Sequence, residues 1–317
     1  MTVKIALIGA GYWGKNLLRN FHNLGALKTV CEVSSPVREA RSKEYPGLHF
    51  TGSLDETLAD PEIAAVAIAS PAPLHFEIAK KAFLAGKHVF VEKPITLDIK
   101  HAEELVRLGA ERKLVLMVGH ILQYHPAVLK AKELIDSGEL GTPRYIYSHR
   151  LNFGKTRKEE NVLWSFAPHD ISVMLMLAGQ FPDRISGSGE AFLQKGIEDF
   201  YRVDVSFPSG LKGHIFVSWY NPFKEQKLVV VAEKKMLVFD DTSKENKLMM
   251  YPAEFDAKNG FPEAMKTAGI PVLIDASEPL KNECGHFLDC VASGRRPRTD
   301  GEEGLRVLRF LHAAGHQ

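Results

Sequence analysis

From residue 3 to about residue 120, short apolar runs rich in β-branched residues alternate with longer stretches of helical periodicity. The runs are VKIALIG, LKTVCEV, AAVAIAS, HVFVEKP and LVLMVGH. Between them, Tyr12 to Leu24, His75 to Gly86 and Asp98 to Arg112 read as helices. In the second, Ile78, Ala79, Ala82 and Phe83 recur at helical spacing, as do Ala102, Leu105, Val106 and Leu108 in the third. Runs that are apolar on both faces suit strands covered on both sides by helices. The alternation therefore predicts βαβ units with right-handed crossovers, an α/β fold with a doubly wound parallel sheet.

Beyond residue 120 the rhythm changes. A helix is expected from about Pro126 to Asp136, a strand over GTPRYIYSHRLN, a charged loop from Phe153 to Asn161 and a helix from about Phe166 to Leu177. Four strand-like runs follow: DRISGSGEAFLQ, FYRVDVSFPSG, LKGHIFVSWYNP and EQKLVVVAEKKMLVFDD. Two helices close the chain. The first carries Leu280, Cys284, Phe287, Leu288 and Val291 on one face, and the second has Asp300 as its expected N-cap. This pattern predicts a C-terminal α+β domain over residues 121–317 with an open, mostly antiparallel sheet, after a first domain over residues 1–120; the last helix could pack back on the first domain.

The chain has 317 residues, which at roughly 150 residues per domain agrees with two domains. Forty Lys and Arg against 39 Asp and Glu leave a net charge of +1, so no general field draws it to nucleic acid or an anionic membrane. No apolar run approaches the ~18 residues of a membrane span. The opening MTVKIALIGAG lacks the pattern of a cleaved signal. The three cysteines, Cys31, Cys284 and Cys290, form no framework of the secreted type. A cytoplasmic protein is expected.

The first strand runs into Gly9-Ala10-Gly11-Tyr12-Trp13-Gly14, a G-x-G-x-x-G between a predicted strand and a predicted helix. That is the Rossmann dinucleotide fingerprint: a tight turn, close approach of backbone to pyrophosphate, and free N–H groups at a helix N-terminus. Glu32 follows Gly9 by 23 residues, at the end of the second strand. An acid there accepts hydrogen bonds from ribose hydroxyls and repels a 2′-phosphate, and Val33-Ser34-Ser35 follow in place of Lys or Arg. NAD is expected rather than NADP.

Glu92-Lys93-Pro94 ends the HVFVEKP run, at the carboxyl edge of a parallel strand where open α/β sheets bind ligands. A lysine there can hold a substrate hydroxyl, or act as a base if burial lowers its pKa. GAGYWG, the S-P-x-x-x-H segment from Ser70 to His75, E-K-P at 92–94 and VGH at 118–120 together resemble the Gfo/Idh/MocA family of nicotinamide-dependent sugar and polyol oxidoreductases. DGEEGLRVLRFLHAA is similar to the family's closing helix. The resemblance implies that Ser70, Pro71, His75, Glu92 and Gln123 help to hold the cofactor, while Lys93 lies between nicotinamide and substrate. It also implies a second domain that supplies the substrate pocket and often the contacts of a homodimer or homotetramer.

The family's other catalytic element is D-x-x-x-H on a helix. Here His169 stands in the histidine place and Ser165 where the aspartate usually stands. At i and i+4 the two share a helix face, and such a histidine can accept the proton released as a carbinol becomes a ketone. Without a carboxylate partner His169 should be the weaker base, leaving more of the proton transfer to Lys93. Asp170 points about 100° away and cannot replace the missing acid. The segment NVLWSFAPHDISVML most resembles the WlbA/WbpB-type branch, which oxidises the 3-hydroxyl of UDP-N-acetylglucosaminuronic acid. Such a substrate needs polar and cationic partners, expected from His120 and from Asn152, Lys155 and Arg157 of the loop ahead of Trp164. No metal is expected, since zinc-type His and Cys spacings are absent. Three other readings stay open: a dehydrogenase of a free sugar, inositol or other polyol; an NAD-dependent glycosidase; and a catalytically silent sensor of NAD or sugar.

Overall fold

The computed structural model describes residues 3–154, 156–258, 261–265 and 267–315. It divides into two compact units, residues 1–124 with 277–308, and residues 125–276 with 309–317.

The first unit opens with β1 (Ile5–Ile8), α1 (Gly14–Asn23), β2 (Leu27–Cys31), α2 (Ser35–Glu44), β3 (His49–Thr51) and α3 (Leu54–Ala59). It continues with β4 (Ala65–Ile68), α4 (His75–Leu84), β5 (His88–Glu92), α5 (Ile99–Arg112) and β6 (Leu116–Gly119). The sheet order is β3-β2-β1-β4-β5-β6, with every neighbouring pair parallel. The strand order reverses between β1 and β4, the switch point at whose carboxyl edge doubly wound sheets bind ligands. Every residue of β1, β4 and β6 is buried, which is why their sequences are continuous apolar runs. Asp98 caps α5 by accepting from the N–H groups of Lys100 and His101. The short α2, β3 and α3 were not anticipated individually. No residue of α2 is buried, so it carries no apolar stripe to read.

The second unit holds α6 (Pro126–Asp136), β7 (Pro143–Phe153) and α7 (Val162–Ala178), then β8 (Arg184–Glu190), β9 (Phe200–Ser206), β10 (Lys212–Ser218), β11 (Tyr220–Ala232) and β12 (Lys235–Asp240). Next come β13 (Leu248–Pro252), a separate hairpin of β14 (Phe255–Lys258) and β15 (Phe261–Ala264), and β16 (Ile270–Pro271). The main sheet runs β16-β13-β12-β11-β7-β10-β9-β8, antiparallel except for the β7/β10 pair. Its expected open, mostly antiparallel character is borne out. The run from 225 to 241 is two strands, β11 and β12, because the chain reverses at Glu233 and Lys234. Helix α7 starts four residues before the expected Phe166, since Asn161 caps it by accepting from Trp164 N–H at 3.1 Å.

The chain then forms α8 (Pro279–Ser293) and α9 (Gly301–Gly315), the latter capped as expected by Asp300, whose carboxylate accepts from Glu303 N–H at 2.9 Å. The expected boundary at 120/121 needs correction on one point: residues 277–308 belong to the first unit. The reason is the apolar face of α8. Leu280, Cys284, Phe287 and Cys290 join the core formed by Leu7, Phe21, Phe90 and Met117. The rings of Phe21, Phe90 and Phe287 meet edge to face with centroids 5.7–6.4 Å apart. Cys31, Cys284 and Cys290 are all buried and free. Among the described residues no helix is long and apolar enough to cross a membrane.

Candidate active site

The first unit gathers its candidate residues at the carboxyl edge of the parallel sheet. Gly9 has φ +90°, a backbone state that L side chains rarely adopt, and its N–H donates to the Cys31 carbonyl at 2.8 Å. A Cβ on Gly14 would lie 2.1 Å from the Gly9 carbonyl oxygen, so only glycine lets the loop close onto the first turn of α1. A Cβ on Gly11 would meet nothing within 4 Å. This open face of backbone, together with a helix start that has no side-chain cap and no acid in its first turn, suits a diphosphate. Tyr12 is exposed beside the loop, with the Lys15 ammonium 5.5 Å from its ring centroid. Trp13 turns its indole N–H onto a Glu92 carboxylate oxygen.

Glu32 is buried at the end of β2. Its carboxylate accepts from Ala10 N–H at 2.7 Å and from Ser34 N–H at 2.8 Å, tying the glycine loop to the β2 turn. Arg38, unrecognised in the sequence, donates to the Glu32 carbonyl at 2.6 Å and to the Ser35 hydroxyl at 3.1 Å. It stands one turn along α2 from the Ser34 N-cap, a spacing that could have been read once that helix was known. The Ser70 hydroxyl, after β4, is buried without a hydrogen-bond partner in the protein. That orphaned donor is the kind of atom a bound cofactor satisfies. Pro71 precedes a short 3-10 turn over Ala72–Leu74. His75 then joins two segments, with Nδ1 2.8 Å from the Pro94 carbonyl and Nε2 2.9 Å from the Ser70 carbonyl. Burial holds its pKa below the usual histidine value, and the Lys93 ammonium lowers it further.

Glu92 ends β5, and its side chain fills the space left by Gly119, where a Cβ would come within 3.0 Å of the carboxyl group. Burial pushes the Glu92 pKa up to about 7, against the opposing effects of the Trp13 indole and the Lys93 charge. Lys93 follows, half-buried, ahead of a cis peptide bond to Pro94. His120 is buried at the end of β6, its Nε2 3.4 Å from a Glu303 carboxylate oxygen. Burial and then the Lys93 charge depress its pKa to about 3, so the ring is neutral. Gln123 donates to the other Glu303 oxygen at 2.6 Å, and its carbonyl accepts from Arg298 at 3.1 Å. Glu303 was not singled out in the sequence; its three-residue spacing from the Asp300 cap was the available signal. The loop and edge therefore fit a dinucleotide, with Gly11, Glu32, Ser70, Glu92 and Gln123 along the same sheet edge.

The second unit carries the other candidates. Ser165 is buried and His169 half-buried, one turn apart on α7, in the i and i+4 relation expected. Pro168 lies within this helix. Asp170 serves a different partner set. Its carboxylate accepts from Ser148 Oγ at 2.6 Å and from Arg150 at 2.8 and 3.2 Å, pinning α7 to β7. Asn152 is half-buried near the end of β7, and Arg157 is exposed, pairing with Glu160 at 3.8 Å. Lys155 lies outside the described residues. Among the described residues no group of three or more His, Cys, Asp or Glu is arranged to hold a metal ion.

Residues 3–120 match the model of an oxidoreductase family with an NAD-binding Rossmann fold, and residues 128–238 match the Gfo/Idh/MocA C-terminal domain. The chain is similar to the UDP-N-acetylglucosamine 3-dehydrogenase of Acidithiobacillus ferrooxidans, 27% identical over 312 residues that span 96% of this chain and 94% of the relative. It is also similar to the scyllo-inositol 2-dehydrogenase (NAD(+)) of Bacillus subtilis, 26% identical over 93% of this chain and 88% of that enzyme. The solved structure of the Acidithiobacillus ferrooxidans 3-dehydrogenase GnnA superposes with a TM-score of 0.85, at 26% identity, covering 99% of this chain and 97% of that one. With both of its parts matched, the chain belongs to the Gfo/Idh/MocA family of NAD-binding oxidoreductases.

Proposed function

We propose that this chain is an NAD-dependent dehydrogenase of a nucleotide sugar, oxidising the 3-hydroxyl of a UDP-N-acetylhexosamine. The observation that carries the reading is Lys93, at the carboxyl end of β5 in a unit whose glycine loop and Glu32 suit NAD. The similarity to UDP-N-acetylglucosamine 3-dehydrogenase along nearly the whole chain supports the substrate class. Arg157, expected with Lys155 to supply cationic partners for the substrate, is exposed and lies 3.8 Å from Glu160. The named relative favours the neutral sugar over its 6-carboxylate, and the uronate is the second substrate to try.

In this reading bound NAD would supply the hydride acceptor for the carbinol carbon. The protein orients the sugar, excludes water and takes the hydroxyl proton. Lys93 in the first unit and His169 in the second are the two groups assigned to the proton. Protonated Lys93 stabilises charge developing on the substrate oxygen, and His169 acts as base with Ser165 as its polar neighbour. Glu32 accepts from the adenosine ribose, while Ser70, His75, Glu92 and Gln123 hold the rest of the cofactor. The three free, buried thiols suit a cytoplasmic enzyme, and a homodimer or homotetramer belongs to the same proposal.

The test is nicotinamide absorbance and fluorescence of the purified protein with NAD, after addition of UDP-N-acetylglucosamine, its uronate, or a panel of inositols and free sugars. A reduced-cofactor signal with a UDP-sugar supports the assignment. A signal only with inositols or free sugars replaces the substrate class. Release of a free sugar with no net reduction reassigns the chain to NAD-dependent glycosidases.

A further inference from the structure

Helix N-caps are usually Ser, Thr, Asp or Asn, whose side chains accept from the first free N–H groups. Helix α1 has Trp13 in that place and no side-chain cap, so those N–H groups stay open to a ligand while the indole serves elsewhere. The indole N–H donates to one carboxyl oxygen of Glu92, 79 residues further on at the end of β5. This one contact joins the glycine loop to the residue that precedes Lys93.

Glu92 is buried, and its carboxyl group fills the space beside Gly119, its register partner on β6, where a Cβ would stand 3.0 Å away. Its second oxygen accepts from Lys93 N–H at 3.3 Å. A buried carboxylate needs donors to stay charged, and the indole is the closer of these two. Burial raises the Glu92 pKa, while the indole, the Lys93 charge and the Lys93 N–H act the other way. Both donors and the lysine therefore favour the carboxylate, which in turn gives Lys93 an anion at a fixed place. His75, His120, Glu283 and Cys284 also feel the Glu92 or Lys93 charge. Burial lowers the pKa of both rings and raises those of the Glu283 carboxyl and the Cys284 thiol, so none of the four brings a charge at neutral pH.

We propose that Trp13 is a positioning residue for Lys93: its indole N–H fixes the Glu92 carboxylate, and that carboxylate orients the Lys93 ammonium, so the loop that takes up the dinucleotide also sets the group beside the reacting hydroxyl. The inference rests on the reading above that Lys93 serves that hydroxyl. Trp13→Phe keeps an aromatic ring at the loop and removes only the donor. Glu92 then keeps the more distant Lys93 N–H and takes up a proton at higher pH. Once protonated, it gives Lys93 no anion. Dinucleotide binding depends on the glycine loop and Glu32, which the substitution leaves in place.

Two measurements test it. NMR of protein labelled with 15N at the indole nitrogens follows three tryptophan signals, and the one missing from Trp13→Phe belongs to Trp13. In Glu92→Gln that signal should move upfield while the other two stay. If Trp13→Phe fails to fold, the wild-type and Glu92→Gln spectra still decide, since one of the three signals must move by itself; three unmoved signals overturn the contact. In steady-state assays with NAD and whichever sugar the wild type oxidises, Trp13→Phe should keep its NADH affinity within about threefold. The acid limb of its kcat profile should rise by about one to two pH units, the equivalent of one hydrogen bond to a charged group. In a Glu92→Gln background the same substitution should leave kcat unchanged. An unmoved acid limb, or NADH affinity lost in step with kcat, overturns the positioning role. A wild type that binds NADH but oxidises no sugar overturns the reading of Lys93, and this role with it.

Discussion

Glu32→Ala should change cofactor choice and loop stability together, and the two effects can be sized from the hydrogen bonds it loses. The Glu32 carboxylate accepts from Ala10 N–H at 2.7 Å and Ser34 N–H at 2.8 Å. Ala10 is fully buried, so its donor is left without water, a cost of about 1–3 kcal/mol. Ser34 is half-buried and can turn to solvent, adding little. Stability should therefore fall by about 1–3 kcal/mol in urea denaturation, with the m-value unchanged. Loss of a charged acceptor for a ribose hydroxyl is worth about 1.5–3 kcal/mol, which is roughly a 10- to 150-fold weaker NAD complex. The penalty on a 2′-phosphate disappears at the same time, and Arg38, already at this turn, is left as its cationic partner. The ratio of NADH to NADPH affinity, measured by nicotinamide fluorescence, should fall at least tenfold. An unchanged ratio, with the stability loss present, would refute the ribose role and leave Glu32 as a tie between loop and strand.

Three other outcomes follow from particular contacts. Asp170→Ala strands the buried Arg150 guanidinium, and urea denaturation should show a loss of about 3–5 kcal/mol; a loss below about 1 would mean that α7 does not depend on this pair. His120 has its pKa lowered to about 3 from an ordinary 6.5, so the unfolded chain binds more protons between those values. Its contribution is present above pH 6.5 and is lost on acidification, by about 1.4 kcal/mol per pH unit. Relative to His120→Gln, the wild type should therefore lose urea resistance between pH 6.5 and pH 4.5, and parallel pH profiles would contradict a neutral buried ring. Gly14→Ala forces a Cβ to 2.1 Å from the Gly9 carbonyl oxygen and should weaken dinucleotide binding severely, whereas Gly11→Ala meets no protein atom and should weaken it only if a ligand occupies that space.

Elements whose environment leaves a period in the sequence were legible. The buried strands β1, β4, β5 and β6 read as apolar runs, α4, α5 and α8 as apolar stripes, and α9 by its cap at Asp300. The glycine loop was readable because only one backbone geometry requires glycine at 9 and 14. Helix α2 buries nothing and left no stripe, so Arg38 was not seen beside Glu32. Residues 277–308 were assigned to the second unit because sequence order does not disclose that Phe287 packs on Phe21 and Phe90. The start of α7 was set four residues late because its cap, Asn161, closes a charged loop rather than following an apolar run.

The most direct test of the assigned chemistry is Lys93→Ala, assayed for both NADH binding and turnover of a UDP-N-acetylhexosamine. With Lys93 as the group beside the reacting hydroxyl, NADH should bind within about threefold of wild type while turnover falls by about 10² or more. Turnover at the wild-type rate, with the cofactor bound, would contradict the central assignment.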